Sequence, residues 1–171
     1  MSMESDINYP LLRNNTLLRS FDILMTYRLD SDVPVNYASR NAYGSFLDPP
    51  FSWAEKSRTG ALAAYITSNP VCHRDRYVQE LMRYISIDAL GSCLNNKRLP
   101  EFPVGRDAFQ RGGWNAIRSV LGRYKFYIAL ENSITEDYVT ERFYHALAAG
   151  SVPLYRGAPN IADFAPHETV I

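Results

Sequence analysis

From Gly60 onward, short apolar runs alternate with stretches of helical period, and this alternation restricts the possible folds more than any other feature of the chain. Ala61 to Thr67 is an apolar run that ends at the turn signal Ser68-Asn69-Pro70. His73 to Ser86 places Tyr77, Leu81, Tyr84 and Ile85 on one helical face. Ile87 to Leu90 reads as a brief strand closed by Gly91, followed by a polar loop carrying Asn95-Asn96, Pro100 and Pro103. Ala108 to Leu121 is a poor helix, interrupted by Gly112-Gly113. Lys125 to Leu130 is the clearest strand. Asp137 to Ala149 is the clearest helix, with Val139, Phe143, Ala146 and Leu147 in register and Gly150 as its stop. Ser151 to Tyr155 is the next strand. Strands alternating with helices predict an α/β fold, a Rossmann-like parallel sheet with helices on both faces.

Residues 1–59 read differently. Phe21 to Tyr27 is one strand, and the remainder is rich in Asp, Pro, Ser and Asn with irregular aromatics such as Tyr37, Phe51 and Trp53. This part is expected to be a connector from the end of a neighbouring domain, with residues 60–171 forming the sheet domain. Both ends are abrupt, and Glu168-Thr169-Val170-Ile171 reads as the start of a strand.

In a parallel sheet of this type, ligands bind outside the carboxyl ends of the strands, where helix N-termini also point. Two segments sit there: Ser68 to Arg74 and Glu131 to Arg142. Eighteen basic residues balance eighteen acidic ones, with no basic run, so a nucleic-acid partner is not expected. Any bound anion must then be held by a few placed groups. Hydrophobic residues at 46% and charged residues at 21% argue against disorder. No window reaches the length of a membrane span, and Met1 to Asn15 lacks the charged start and apolar core of a signal peptide, so the stretch reads as soluble.

Glu131-Asn132-Ser133 with Asp137-Tyr138-Val139-Thr140-Glu141-Arg142 gathers an amide, a phenol, carboxylates and a guanidinium at one strand-to-helix junction. Arg142 in the first turn suits phosphate oxygens, and Glu141 suits the two hydroxyls of a ribose. An ordinary capped helix with surface charges uses the same residue types. Arg74 or Arg76 would complete a diphosphate clamp from the neighbouring helix, unless both are simply solvated. Asp30-Ser31-Asp32 mimics the Asp-x-Asp metal motif of sugar-nucleotide enzymes, a triplet that is also frequent in loops. His73, His145 and His167 share no ligand spacing. The absence of Gly-x-Gly-x-x-Gly and of Gly-x-Ser-x-Gly disfavours a dehydrogenase and an elbow-type hydrolase. Asn14-Asn15-Thr16 is a glycosylation sequon, and Cys72 and Cys93 are either two buried thiols or one pair joining neighbouring loops.

The stretch KFYIALENSITEDYVTERFYHALAAGSVPLYRGAPNIADFAP resembles the signature of the α1,3-fucosyltransferases of glycosyltransferase family ten, with the plant-type enzymes of the N-glycan core most similar. Tyr27 with Ser31-Asp32-Val33-Pro34, then Ser68-Asn69, Arg74 and Tyr77, then Gly91 with Cys93, follow the family's order. The resemblance implies a Golgi membrane enzyme of two facing Rossmann-like domains (the GT-B arrangement), whose lumenal catalytic part transfers fucose from GDP-β-L-fucose to a GlcNAc hydroxyl of a glycan or glycoprotein. Under it, Arg74 and Arg142 hold the diphosphate, Glu141 the ribose, and Asn132 and Tyr138 complete the donor pocket. Met3-Glu4-Ser5-Asp6 resembles the Glu-Ser-Pro motif near the end of the acceptor domain, which makes Glu4 the candidate general base. No cofactor is required on this reading, although a divalent Mn or Mg ion fits the reaction type. A Golgi lumen would also favour a Cys72–Cys93 disulfide. The chain departs from the family pattern at Arg142, where Lys is usual, at Asp6, where Pro is usual, and by one extra residue between Asn69 and Arg74. Most of an acceptor domain and the membrane anchor are not in this sequence, so a nucleotide-sugar-binding fragment without turnover is the alternative expectation.

Overall fold

The computed structural model describes residues 1–38, 44, 46–56, 58–69, 71–98 and 107–171, except for the side chains of Cys72 and of 107–113. Two short strands, β1 (Met25–Thr26) and β2 (Val33–Pro34), pair in parallel. The main sheet holds β3 (Ala63–Tyr65), β4 (Ile87–Ala89), β5 (Phe126–Leu130) and β6 (Val152–Arg156), all parallel, in the order β4-β3-β5-β6. The helices are α1 (Asn15–Leu18), α2 (Trp53–Lys56), α3 (Cys72–Leu81), α4 (Asp107–Leu121) and α5 (Glu141–Ala148).

Alternation along the strands divides the core in two. Ala63, Tyr65, Ile87, Ala89, Ile128 and Leu130 face α3 and pack on Val78. Ala64, Ile66, Tyr127 and Ala129 face the other way, onto Ile117, Val120 and Leu121 of α4 and Ala146 of α5. Helices therefore cover both faces, as the strand–helix alternation predicts. From β3 the chain steps to β4 on one side and then crosses to β5 on the other. The strand order reverses between β3 and β5, which opens a crevice at their carboxyl ends.

Several expectations are corrected. The strand foreseen over 21–27 is confined to Met25–Thr26, where its partner β2 lies. The helix expected from His73 to Ser86 ends at Leu81, and its buried contact is Val78, while Tyr77 and Tyr84 are 47% and 74% exposed. The helix beginning at Asp107 runs unbroken to Leu121 through both glycines. The helix expected from Asp137 starts four residues later, because Asp137 has a left-handed backbone with φ of 65° that a helix cannot continue. The expected strand start at 168–171 is realised only at Ile171, whose backbone bonds Pro153 O and Tyr155 N along the outer edge of β6. The opposite edge, β4, is closed by a side chain. The Asn96 amide donates to Ile87 O (2.9 Å) and accepts from Ala89 N (2.8 Å), as a further strand would. Asn14 of the sequon caps α1, its Oδ1 accepting from the N–H groups of Thr16 and Leu17. Cys93 is a free, buried thiol, and the side chain of its expected partner Cys72 lies outside the described residues.

The residues before the sheet are anchored beneath it by Lys56 of α2. Its ammonium is buried and donates to the carbonyls of Gly122 (3.0 Å), Tyr124 (3.4 Å) and Ala149 (3.4 Å). Gly122 lies just beyond the end of α4, and Ala149 caps α5, so one cation answers the negative ends of two helices. Burial pulls the Lys56 pKa below its ordinary value, against a smaller opposing effect of Glu55. Lys56→Met should therefore destabilise the fold by about 2–3 kcal/mol, since it removes the charge that Gly122 O and Ala149 O share with Tyr124 O, and among the described residues only Tyr124 O keeps another partner, the Ser151 hydroxyl. The expected readout is a lower urea midpoint at unchanged slope.

Candidate functional site at the carboxyl end of the sheet

The crevice between β3 and β5 is built on two residues that follow or flank their ends. Arg74, in the first turn of α3, is 2% exposed. Its Nη2 donates to Asn69 O (2.7 Å) and its Nη1 to Leu130 O (3.4 Å), so it ties the loop after β3 to the end of β5. Its Nε has no partner. Asp75 holds this turn, accepting from the Tyr65 hydroxyl (2.9 Å) and from Val71 N (3.2 Å).

On the β5 side, Glu131 is buried, and its carboxylate accepts from Thr140 N (2.7 Å) and from the Thr140 hydroxyl (2.6 Å). Thr140 is the N-cap of α5, so the strand end and the helix start are joined across nine residues. Arg142 completes the group. Its Nη1 donates to Thr140 Oγ1 (3.1 Å) and lies 3.6 Å from Glu131 and 3.5 Å from Glu141. Burial raises the Glu131 pKa from its ordinary 4.5 to about 7, although Arg142 and Thr140 pull the other way. Burial also works against the charge of Arg142, but Glu141 and Glu131 hold its pKa above the ordinary arginine range.

The loop from Asn132 to Tyr138 carries the remaining candidates. Asn132 Oδ1 is buried without a partner. Tyr138 is 1% exposed, with Tyr27 and Tyr37 set edge-on at 5.1 and 6.0 Å, and its hydroxyl donates to Glu4 (3.1 Å). Burial first, then Tyr37 and Glu4, raise its pKa. The N-terminal segment is thus docked on this loop. The Ser133 hydroxyl donates to that of buried Ser5 (2.7 Å), Asn8 donates to Glu4 (3.2 Å), and the Tyr37 hydroxyl bonds Met3 O.

Asn132, Tyr138, Glu141 and Arg142 therefore share one junction, and Glu4 meets them through Tyr138. Arg74 stands across the Leu130–Glu131 backbone and does not touch Arg142. Arg76, on the same helix, is exposed. Two residues of this site had no assigned role in the sequence reading. Asp137 bonds Leu29 N (3.1 Å) and the Asn160 amide (2.8 Å) with its carboxylate, and its N–H donates to Asn160 Oδ1 (2.9 Å). Its position resembles a helix cap, and only the left-handed backbone reveals a clasp. The role of Glu131 had one sequence signal, a carboxylate placed directly after the apolar strand KFYIAL.

The Asp30-Ser31-Asp32 triplet is committed elsewhere. Asp30 binds Arg28 through both oxygens (2.8 and 2.9 Å), Asp32 accepts from Leu24 N (2.8 Å), and Ser31 bonds the Thr26 hydroxyl. These donors do not form a metal-binding set, and among the described residues no three His, Cys, Asp or Glu side chains converge. A cavity of about 490 Å³ lies at the amino ends of the strands among Phe51, Glu55, Arg58, Thr59, Lys97, Arg123 and Tyr124. Topology places ligands at the carboxyl ends, and the candidate residues gather there.

Residues 53–171 match the family described as "Glycosyltransferase family 10 (fucosyltransferase) C-term". The chain is 46% identical over 105 residues to GDP-fucose protein O-fucosyltransferase 3 of Xenopus laevis, covering 60% of this chain and 22% of that protein. It is 35% identical to GDP-fucose protein O-fucosyltransferase 3 of Rattus norvegicus, covering 95% of this chain and 35% of that protein. Alpha-(1,3)-fucosyltransferase B of Drosophila melanogaster is 32% identical, with coverage of 96% and 38%. The chain thus spans at most about 38% of the length of these relatives. A crystal structure of an alpha1,3-fucosyltransferase with GDP aligns at 20% identity and a TM-score of 0.49, covering 78% of this chain and 35% of that one.

The burial of Glu131 has a consequence for stability. A carboxyl whose pKa is raised in the fold stabilises most when protonated, below its unfolded pKa, and that contribution is lost as pH rises through about 7. Buried His145, with its pKa lowered to about 4 by desolvation, titrates in the opposite sense, so a variant comparison is needed. Relative to Glu131→Gln, the parent Tm should fall by several degrees between about pH 5 and about pH 8, at roughly 2–4 °C per kcal/mol. His145 cancels in that difference, and a flat difference curve would refute the assignment.

Proposed function

The chain belongs to glycosyltransferase family 10, and from that premise we propose that it holds GDP-fucose at the carboxyl-end crevice and serves an inverting transfer of fucose to an acceptor hydroxyl. The observation that carries this reading is the convergence of Asn132, Tyr138, Glu141 and Arg142 at one strand-to-helix junction, with Glu4 docked on Tyr138. Arg142 stabilises the charge that builds on the departing GDP, and Arg74 adds positive charge from beneath while its Nη atoms stay on carbonyls. Glu141 accepts the ribose hydroxyls, and Asn132 offers its unpartnered oxygen to the donor. Glu4 removes the acceptor proton as the new bond forms on the opposite face of the sugar. Its hydrogen bond from Tyr138 sets the position of that carboxylate. Holding both substrates in place supplies much of the remaining acceleration.

The finer reading is an α1,3 linkage to GlcNAc of an N-glycan, by a membrane-anchored enzyme of the Golgi lumen in the GT-B arrangement. Similarity to proteins named GDP-fucose protein O-fucosyltransferase 3 favours a second reading, in which the acceptor hydroxyl belongs to a protein. Labelled GDP-fucose offered with each acceptor separates the two. Label on neither acceptor, with donor binding intact, is the outcome for a nucleotide-sugar-binding piece that needs further chain for turnover.

Donor binding itself is tested by thermal unfolding. GDP and GDP-fucose should raise the unfolding temperature and NAD should not, with about 2.7 kcal/mol added at a hundredfold excess over Kd. No shift at millimolar GDP would sink the donor-site assignment. In the same assay Arg142→Ala should lose most of the GDP effect, and Arg142→Lys should recover much of it, because charge at the helix start is the main requirement. Glu4→Gln should keep the GDP effect while lowering transfer by about a hundredfold to ten-thousandfold, the usual range for a lost general base.

A further inference from the structure

We propose that Arg156, resting on Tyr77 at the lip of the crevice, is a further contact for the donor's diphosphate; the inference rests on the GDP-fucose reading above. Arg156 ends β6 opposite Leu130, and it shares a sheet face with Leu154 two residues earlier. That face is the one covered by α3, so the side chain reaches the exposed ring of Tyr77, with its guanidinium carbon 5.4 Å from the ring centre. The same residue lines a narrow recess with His73, Arg74, Leu130, Glu131 and Ile134, directly over the reversal point of the sheet.

The other two arginines of the crevice are committed in part. One N–H of each Arg74 Nη goes to a carbonyl and Arg142 stands between Glu131 and Glu141, although the Nε of both is buried without a partner. Once Glu131 is ionised along with Glu141, two arginines against two glutamates leave no formal positive excess for a dianionic or trianionic ligand. Arg156 supplies that excess. Among the described residues it has no ion pair and no side-chain hydrogen bond, and it is exposed. Stacking on an aromatic face leaves the edge of a guanidinium free to donate, and that edge matches the paired oxygens of a phosphate. The sequence showed Arg156 only as part of a turn, Arg156-Gly157-Ala158-Pro159.

The test is titration of the full chain with GDP and with guanosine, on the parent, Arg156→Ala, Arg156→Lys, Arg142→Ala and, as a control on exposed charge, Arg76→Ala. Arg156→Ala should weaken GDP by about tenfold or more while changing guanosine by less than about twofold, since the lost bonds are to phosphate. Arg156→Lys should recover part of the loss, and Arg76→Ala should match the parent. If Arg156→Ala binds GDP like the parent while Arg142→Ala does not, the inference is overturned and the donor site stands. Equal weakening of GDP and guanosine, or equal loss in Arg76→Ala, also overturns it. A parent chain that binds no GDP removes the donor-site reading and this inference together.

Discussion

The working end of this molecule is organised around the carboxylate of Glu131. A carboxylate taken out of water is costly unless its oxygens are answered, and here both are, by the N–H and the hydroxyl of Thr140. These two bonds fix where α5 begins, and the same hydroxyl receives Arg142. The Glu131 N–H also donates to Arg156 O, so the end of β6 is set by the same residue. The turn after β6 must pass very close. A Cβ at Gly157 would lie 2.4 Å from Glu131 Cγ and 2.3 Å from the Tyr155 hydroxyl, which no side chain tolerates. One buried acid therefore determines the mutual placement of a strand end, a helix start and the next strand's exit.

Around that centre the site is assembled from distant parts of the chain. Glu4 reaches Tyr138 across 134 residues, Ser5 reaches Ser133 across 128, and Leu29 reaches Asp137 across 108. Asp137 adopts a left-handed backbone, which is sterically unfavourable for a residue with a Cβ, and its three hydrogen bonds hold it there. Residues 1–37 thus reach this loop from positions remote in sequence. The loop that carries Asn132 and Tyr138 is then finished from outside the sheet.

The parallel sheet and its two helical layers were legible because their cause is periodicity, and periodicity survives in a sequence. Phe143, Ala146 and Leu147 on α5 are visible as repeats of three and four, whereas on α3 the repeat of Tyr77, Leu81 and Tyr84 passes over Val78, the residue that is buried. The site was legible in its residue types and in its position at strand ends, for the same topological reason. Three kinds of feature were not legible. The left-handed turn at Asp137 reads as a helix start, since Asp suits both. Lys56 looks like a surface lysine until the carbonyls of Gly122, Tyr124 and Ala149 converge on it from two helices. The Asp-x-Asp triplet looks like a metal site until Arg28 and Leu24 N occupy its oxygens. For Asp137 and Lys56 the deciding partners come from distant parts of the chain, whereas those of the triplet lie within eight residues, in a loop conformation that spacing does not encode.

The side-chain closure of β4 by Asn96 has a consequence for self-association. An open parallel sheet ends in a row of unpaired backbone groups, and such an edge is a template on which a second copy can add a strand. At β4 the amide of one asparagine stands in for that strand, taking the Ile87 carbonyl and the Ala89 N–H, while the Asn96 backbone N–H donates to Ala89 O. Because the plug is made of side-chain amides, with the Asn95 amide also on Ala89 O, it offers no continuous ladder for another chain to extend. The β4 edge is therefore closed to edge-on stacking by two neighbouring asparagines, and a strand could add there only if their amides gave up Ile87 and Ala89.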